Sequence, residues 1–242
     1  MQPISEQGYL IPAFDTDVCY SEMAQRLSDS IREFHPNAEI TILTNKDLPA
    51  TDTTGQALDY YAYRLSPYRE TIKLEADMLI ASPIDHWWTM FRHRDVVVST
   101  GCRDFYDQPA TSRFYRRLFD QNNLPDVYNA ITYWRRSETA AEFFRWVRDI
   151  FGNWGEFRKL LKFPDNEPST DVVYAMAAQI IGPERVTMPF ATYPKIVHMK
   201  KHIIPIRTAD WTKELIWETN PLRIQTVPQW GAFHYHIKDW KP

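Results

Sequence analysis

The chain has 242 residues, with 28 Lys+Arg against 31 Asp+Glu and a formal net charge of −3. A composition that is 44% hydrophobic and 24% charged is that of an ordinary globular protein, and it excludes a disordered, collagen-like or coiled-coil chain. The balance of charge excludes a broadly cationic surface, though not a local basic groove.

In chain order, Gly8–Phe14 reads as a strand and Ser21–Phe34 as a helix, with Met23, Leu27, Ile31 and Phe34 on one face. His35-Pro36-Asn37 ends that helix. Ala38–Leu43 is the next expected strand, Leu58–Leu65 a helix, Thr71–Ile80 a long apolar strand, Ile84–Phe91 a short helix and Asp95–Thr100 a strand. This alternation predicts a mostly parallel α/β sheet with helices on both faces. The second half is more mixed. Ser137–Phe151 and Thr170–Ile181 read as helices with Ser137 and Thr170 at their N-caps, and Arg185–Phe190, Lys195–Met199 and Gly231–Ile237 as short strands.

Several function classes are missing from the sequence. There are only 7 glycines, and none is spaced as in a dinucleotide-binding or P-loop fingerprint. A phosphate handled by this chain is therefore expected to meet a metal or side chains. Two cysteines, Cys19 and Cys102, are too few for a disulfide framework, which favours a reduced, cytoplasmic setting. The first residues have neither the basic nor the apolar region of a signal peptide, and no apolar run approaches the ~20 residues of a spanning helix, so no membrane is expected as a partner.

The chemistry concentrates at Lys73-Leu74-Glu75-Ala76-Asp77. On an extended strand Lys73, Glu75 and Asp77 share one face, and the two carboxylates lie about 7 Å apart. That spacing suits either one hard divalent cation or a half-exposed strand on which Lys73 pairs an acid.

The run Leu65-Ser66-Pro67-Tyr68, then Ile72–Ile80, then Ile84-Asp85-His86-Trp87 resembles glycogenin-like glycosyltransferases of the GT-A fold. The wording from Ser66 to Asp77 also resembles glycosyltransferase-like proteins of tailed phages. The resemblance implies one GT-A-like domain over 1–242. Its nucleotide-binding half would be 1–100, built on a Rossmann-like, mostly parallel twisted sheet, and its acceptor-binding half the mixed 101–242. In the family an Asp-x-Asp motif binds Mn²⁺, which bridges to the diphosphate of a UDP-sugar. Glu75 and Asp77 stand in that place, so Mn²⁺ or Mg²⁺ is the implied cofactor.

Thr16-Asp17-Val18-Cys19-Tyr20 resembles the family's nucleotide signature, which assigns Asp17 and Tyr20 to the base and puts Asp15 near the ribose. By their residue types alone, Asp15 or Asp17 could equally cap a turn, and Tyr20 could be a core ring. The family's basic residue ahead of the metal motif falls at Leu58 or Asp59 here, leaving Arg64 as the nearest cation. Tyr128–Trp134 and Ser169–Tyr174 resemble the family's sugar-contacting segments, which implies donor-sugar or catalytic roles for Asn129 and Asp171. Phe233–Trp240 resembles the family's closing segment, in which a histidine is the third metal ligand and a lysine meets the phosphate; the resemblance implies His234 as ligand with His236 as the alternative, and Lys238 on the phosphate.

The implied activity is transfer of a sugar from a UDP-sugar to an acceptor hydroxyl with retention. The resemblance to tailed-phage proteins implies a hydroxymethylated pyrimidine of phage DNA as acceptor, in the host cytoplasm; the arginines and aromatic rings between Arg103 and Trp146 suit either a nucleic acid or an ordinary ion-paired face. A glycan or protein acceptor, a metal-dependent phosphohydrolase or nuclease using the same acids, and a non-catalytic nucleic-acid-binding relative are the alternatives.

Overall fold

The computed structural model describes residues 5–49, 56–100, 103–104, 116–188, 196–199, 214–220, 223–228 and 231–235. In chain order these form β1 (Ser5–Ala13), α1 (Tyr20–Phe34), β2 (Ile40–Thr44), a single 3-10 turn (Asn45–Asp47), α2 (Ala57–Leu65), β3 (Tyr68–Leu74), β4 (Met78–Ile80), α3 (His86–Phe91), β5 (Val96–Thr100) and β6 (Arg103–Asp104). They continue with α4 (Arg116–Gln121), β7 (Val127–Arg135), α5 (Glu138–Gly152), α6 (Trp154–Leu161), α7 (Thr170–Ile181), α8 (Pro183–Val186), β8 (Ile196–Met199), β9 (Glu214–Asn220), β10 (Arg223–Pro228) and β11 (Ala232–Tyr235).

The main sheet has the order β2-β1-β3-β7-β5. β1 runs parallel to β2 and β3, while β7 runs antiparallel to both β3 and β5. Four of the five strands therefore point the same way, and the expected mostly parallel sheet is present. Alternation along the strands feeds two cores. Tyr9, Ile11, Ile72, Leu74 and Val97 pack on one face with Met23, Leu27 and Ile31 of α1. Leu10, Val96, Val98 and Trp134 pack on the other with Leu58 of α2, Phe143 of α5 and Tyr174 of α7. Each fully buried side chain of this size contributes about 1.5–3 kcal/mol, so both faces of the sheet are committed to helices. At Gly8 an added Cβ would lie 2.4 Å from the ring of Tyr68, which is buried and hydrogen-bonded to Thr41 Oγ1 at 2.7 Å.

The long strand expected over Thr71–Ile80 is two strands in two sheets. β3 ends at Leu74, although Glu75 N still donates to Ala130 O of β7 at 3.1 Å. The chain then turns through Ala76 and Asp77, and β4 joins the second sheet, of order β4-β11-β8-β6. Tyr235 N of β11 donates to Asp77 O at 3.0 Å, and β11 pairs antiparallel with β4. The acids thus sit at the junction of two sheets, at the carboxyl end of β3, rather than along one strand.

Two further expectations are corrected. The start of the strand expected at Arg185 is the short helix α8, because Pro183 presets its first helical φ; Thr187 makes only an isolated bridge to Val98, and Phe190 lies outside the described residues. Thr170 is the first helical residue of α7, and Ser169 occupies the cap position without a side-chain cap bond. Ser137 does cap α5, accepting from Ala140 N at 3.2 Å.

Candidate active site

The junction brings Glu75, Asp77 and His234 together, with one ligand atom from each lying within 4.8 Å of the others. His234 Nε2 stands 3.0 Å from Asp77 Oδ1 and 3.3 Å from Glu75 Oε2. Pairing of β11 with β4 is what delivers the imidazole, since His234 lies opposite Met78, one residue past Asp77. Two carboxylates and one imidazole are donors that could hold a divalent cation. On its other side His234 Nδ1 is hydrogen-bonded to Tyr128 Oη. A hydroxyl can donate or accept there, so it holds the ring in place whichever nitrogen carries the proton. Burial raises the Glu75 carboxyl from 4.5 to about 7; His234 pulls it down, whereas the neighbouring charges of Asp77 and Asp171 push it further up. A carboxyl kept from ionising by burial and by neighbouring anions is one that a cation relieves.

These residues line a cleft of about 470 Å³. Pro12, Phe14, Thr16 and Tyr20 form one wall, from the end of β1 and the start of α1; Gln56, Leu58 and Asp59 of the α2 region form another. Lys73 is buried at 1% exposure and forms an ion pair with Asp59. Burial alone would push its ammonium down, but the charge of Asp59, with Tyr174 and Glu75, holds it above the ordinary lysine value. Lys73 also lies over the Tyr174 ring, 5.0 Å from its centroid. Asn129 Nδ2 donates to Asp59 Oδ1 at 3.3 Å, and Asn129 N donates to Asp171 Oδ1 at 2.8 Å. Thr132 Oγ1 donates to Asn129 Oδ1 at 2.8 Å. A continuous polar network therefore runs from Lys73 through Asp59 and Asn129 to Asp171 beneath the cleft.

Of the residues singled out in the sequence, Glu75, Asp77 and His234 converge, Asn129 and Asp171 contact each other, and Tyr20 is on the cleft wall. Asp15 Oδ1 accepts from Ser21 N at 2.8 Å in the first turn of α1. Asp17 is exposed in the same loop, outside the cleft lining. Arg64 lines a separate cleft of about 610 Å³ with Tyr61, Tyr63 and Arg136. Asp59 and Arg64 are five residues apart on one helix, which turns them about 140° from each other, and they line different clefts. His236, Lys238 and Cys102 lie outside the described residues. Tyr128, Lys73 and Asp59 were missed as site residues. The signal for the last two was a lysine inside an apolar strand, which needs a carboxylate partner when buried.

No protein-family model and no curated protein matches the sequence. Solved structures do match. Mouse xyloside xylosyltransferase 1 in its apo form shares the fold with a TM-score of 0.51 and 9% identity, over 99% of this chain and 100% of that one. The galactosyltransferase LgtC, in complex with donor and acceptor sugar analogues, gives a TM-score of 0.49 and 12% identity over 94% and 86%. A glycosyltransferase involved in glycosylation of the major capsid of PBCV-1 gives 0.48 and 12% over 81% and 85%. At such identities the likeness to the xylosyltransferase establishes the fold: a mixed α/β architecture of the GT-A glycosyltransferase type, as expected from the sequence.

Proposed function

We propose that this protein is a divalent-metal-dependent glycosyltransferase that moves a sugar from a UDP-sugar to an acceptor hydroxyl. The observation that carries this reading is the convergence of Glu75, Asp77 and His234 in a cleft at the carboxyl end of β3. Ligands bind in that position in open α/β sheets. The same fold in a xylosyltransferase, over the whole of both chains, supports it.

Glu75, Asp77 and His234 would hold Mn²⁺ or Mg²⁺, which when bound supplies Lewis-acid stabilisation of a leaving diphosphate. Tyr20 and Thr16, on the opposite wall, would receive the nucleoside. Asn129 and Asp171 would stand beside the anomeric carbon, with Lys238 on the phosphate, His236 as the alternative ligand and Asp17 beside the base. The acceptor is a hydroxyl of a glycan, a protein or a hydroxymethylated pyrimidine in DNA. Among the described residues, Arg135, Arg145, Arg148 and Lys159 each pair with an acid, as on an ordinary ion-paired surface. The DNA acceptor therefore rests on the resemblance of the Ser66–Asp77 wording to tailed-phage proteins.

The test is thermal stabilisation by UDP with and without Mn²⁺, followed by donor hydrolysis over a UDP-sugar panel and a mass shift on each acceptor class. UDP plus Mn²⁺ is expected to raise the melting temperature more than either alone; an unchanged melting temperature refutes the reading. Tyr128→Phe leaves the three ligands in place but removes the oxygen that orients His234. It is expected to weaken Mn²⁺ binding by about tenfold or more in isothermal titration.

A further inference from the structure

The Lys73–Asp59 pair does more than neutralise a buried charge. Both contacts to the Asp59 carboxylate fall on one oxygen: Lys73 Nζ and Asn129 Nδ2 each meet Oδ1. The other oxygen, Oδ2, has no hydrogen-bond partner among the described residues, and the side chain is 18% exposed on the cleft wall. The helix backbone beneath it is fixed as well, since Tyr174 Oη donates to Asp59 O at 3.2 Å. Asp59 is thus an acceptor held by three side chains from three elements, with one oxygen left to a ligand.

A fixed carboxylate selects what docks against it. Its open oxygen can only accept, so it favours a neutral group rich in O–H donors over a group that offers only acceptor oxygens, such as a phosphate or a carboxylate. Within a nucleotide-sugar, that group is the sugar. The connectivity agrees, because Asp59 is tied through Asn129 to Asp171, whose charge acts on Glu75 of the acidic cluster. Resting on the glycosyltransferase reading, we infer that Asp59 is the specificity-determining residue of the donor-sugar subsite, accepting a sugar hydroxyl through Oδ2 and selecting neutral hexoses or pentoses over uronic acids.

The experiment measures Kd for UDP, UDP-glucose, UDP-galactose, UDP-xylose and UDP-glucuronate by calorimetry in the presence of Mn²⁺. Wild-type protein and Asp59→Asn are compared, with Kd(UDP)/Kd(UDP-sugar) taken within each protein. In the wild type, the best neutral donor is expected to bind at least about tenfold tighter than UDP-glucuronate. In Asp59→Asn that discrimination should collapse, and the ratio for the neutral donor should fall by about tenfold while UDP binding holds. Should Asp59→Asn not fold because Lys73 is left unpaired, Lys73→Met/Asp59→Leu removes both charges and gives the same ratios. Equal weakening of UDP and UDP-sugar, or a wild type indifferent to the uronate carboxylate, overturns the assignment while leaving the transferase reading intact. A wild type that binds neither UDP nor any UDP-sugar overturns both.

Discussion

Asp77→Asn is expected to abolish the synergy between Mn²⁺ and UDP while leaving the apo protein folded. Asp77 is 5% exposed and gives Oδ1 to the cluster, 3.0 Å from His234 Nε2. The asparagine keeps the volume and one acceptor oxygen but loses the charge. Removing an outer-shell partner of a metal ligand already costs 10–100-fold in affinity, so loss of a ligand charge is expected to cost on the order of 100-fold or more. Sugar transfer should fall with it, by about a thousandfold if the cation is worth about 4 kcal/mol to the leaving group. Removing one of the crowded anions also draws the Glu75 carboxyl back towards its ordinary value. The pH dependence supplies the sign. Glu75 must be ionised to act as a ligand, so Mn²⁺ affinity of the wild type should drop as pH falls through about 7. The apo protein should behave in the opposite sense: its folded state keeps a proton that the unfolded state releases above 4.5, so its stability falls as pH rises from 4.5 to about 7. Calorimetry of apo and Mn²⁺-loaded protein over pH 5–8 checks both limbs. Parallel pH trends would remove Glu75 from the cluster.

How much of this was legible in the sequence depends on the range of the interaction that decides each feature. Helices α1, α5 and α7 were readable because their apolar periodicity and ends are local; Thr170–Ile181 matches the expected bounds. The break at Glu75–Asp77 was not readable. The run from Thr71 to Ile80 contains no glycine or proline, and only pairing with a strand more than 150 residues away pulls Met78–Ile80 into another sheet. The alternation rule therefore put Glu75 and Asp77 on one strand face, whereas a turn brings them together. His234 was singled out by the resemblance of the C-terminal segment to the family's closing motif, and pairing of β11 with β4 is what sets it beside the two acids. The partner of Tyr128 was not, since nothing local to a strand tyrosine announces an imidazole 106 residues on. The substitution of Asp59 for an expected cation was visible, and so was Lys73; that the two compensate each other required the packing of α2 over β3.

That compensation makes Lys73→Met the substitution with the largest expected effect on stability. Lys73 is 1% exposed, and its ammonium is the cation that balances Asp59 in a region that also contains Asp171 and Glu75. Methionine roughly fills the volume of the stem, so the cost is electrostatic: an anion among anions, screened only on the cleft side. Breaking a buried pair by removing one partner costs about 3–5 kcal/mol. The 18% exposure of Asp59 places this case at the lower end, about 3 kcal/mol. For a chain of this size that is a fall of roughly 6–12 °C in melting temperature. Replacing both partners should recover most of it, because two apolar side chains of similar shape leave no charge to compensate. Lys73→Met, Asp59→Leu and the double variant form a cycle whose coupling energy, read from denaturant midpoints, is expected to exceed about 2 kcal/mol. Additive losses would mean that the network is packed rather than paired, and that Asp59 is held at the cleft by the α2 backbone alone.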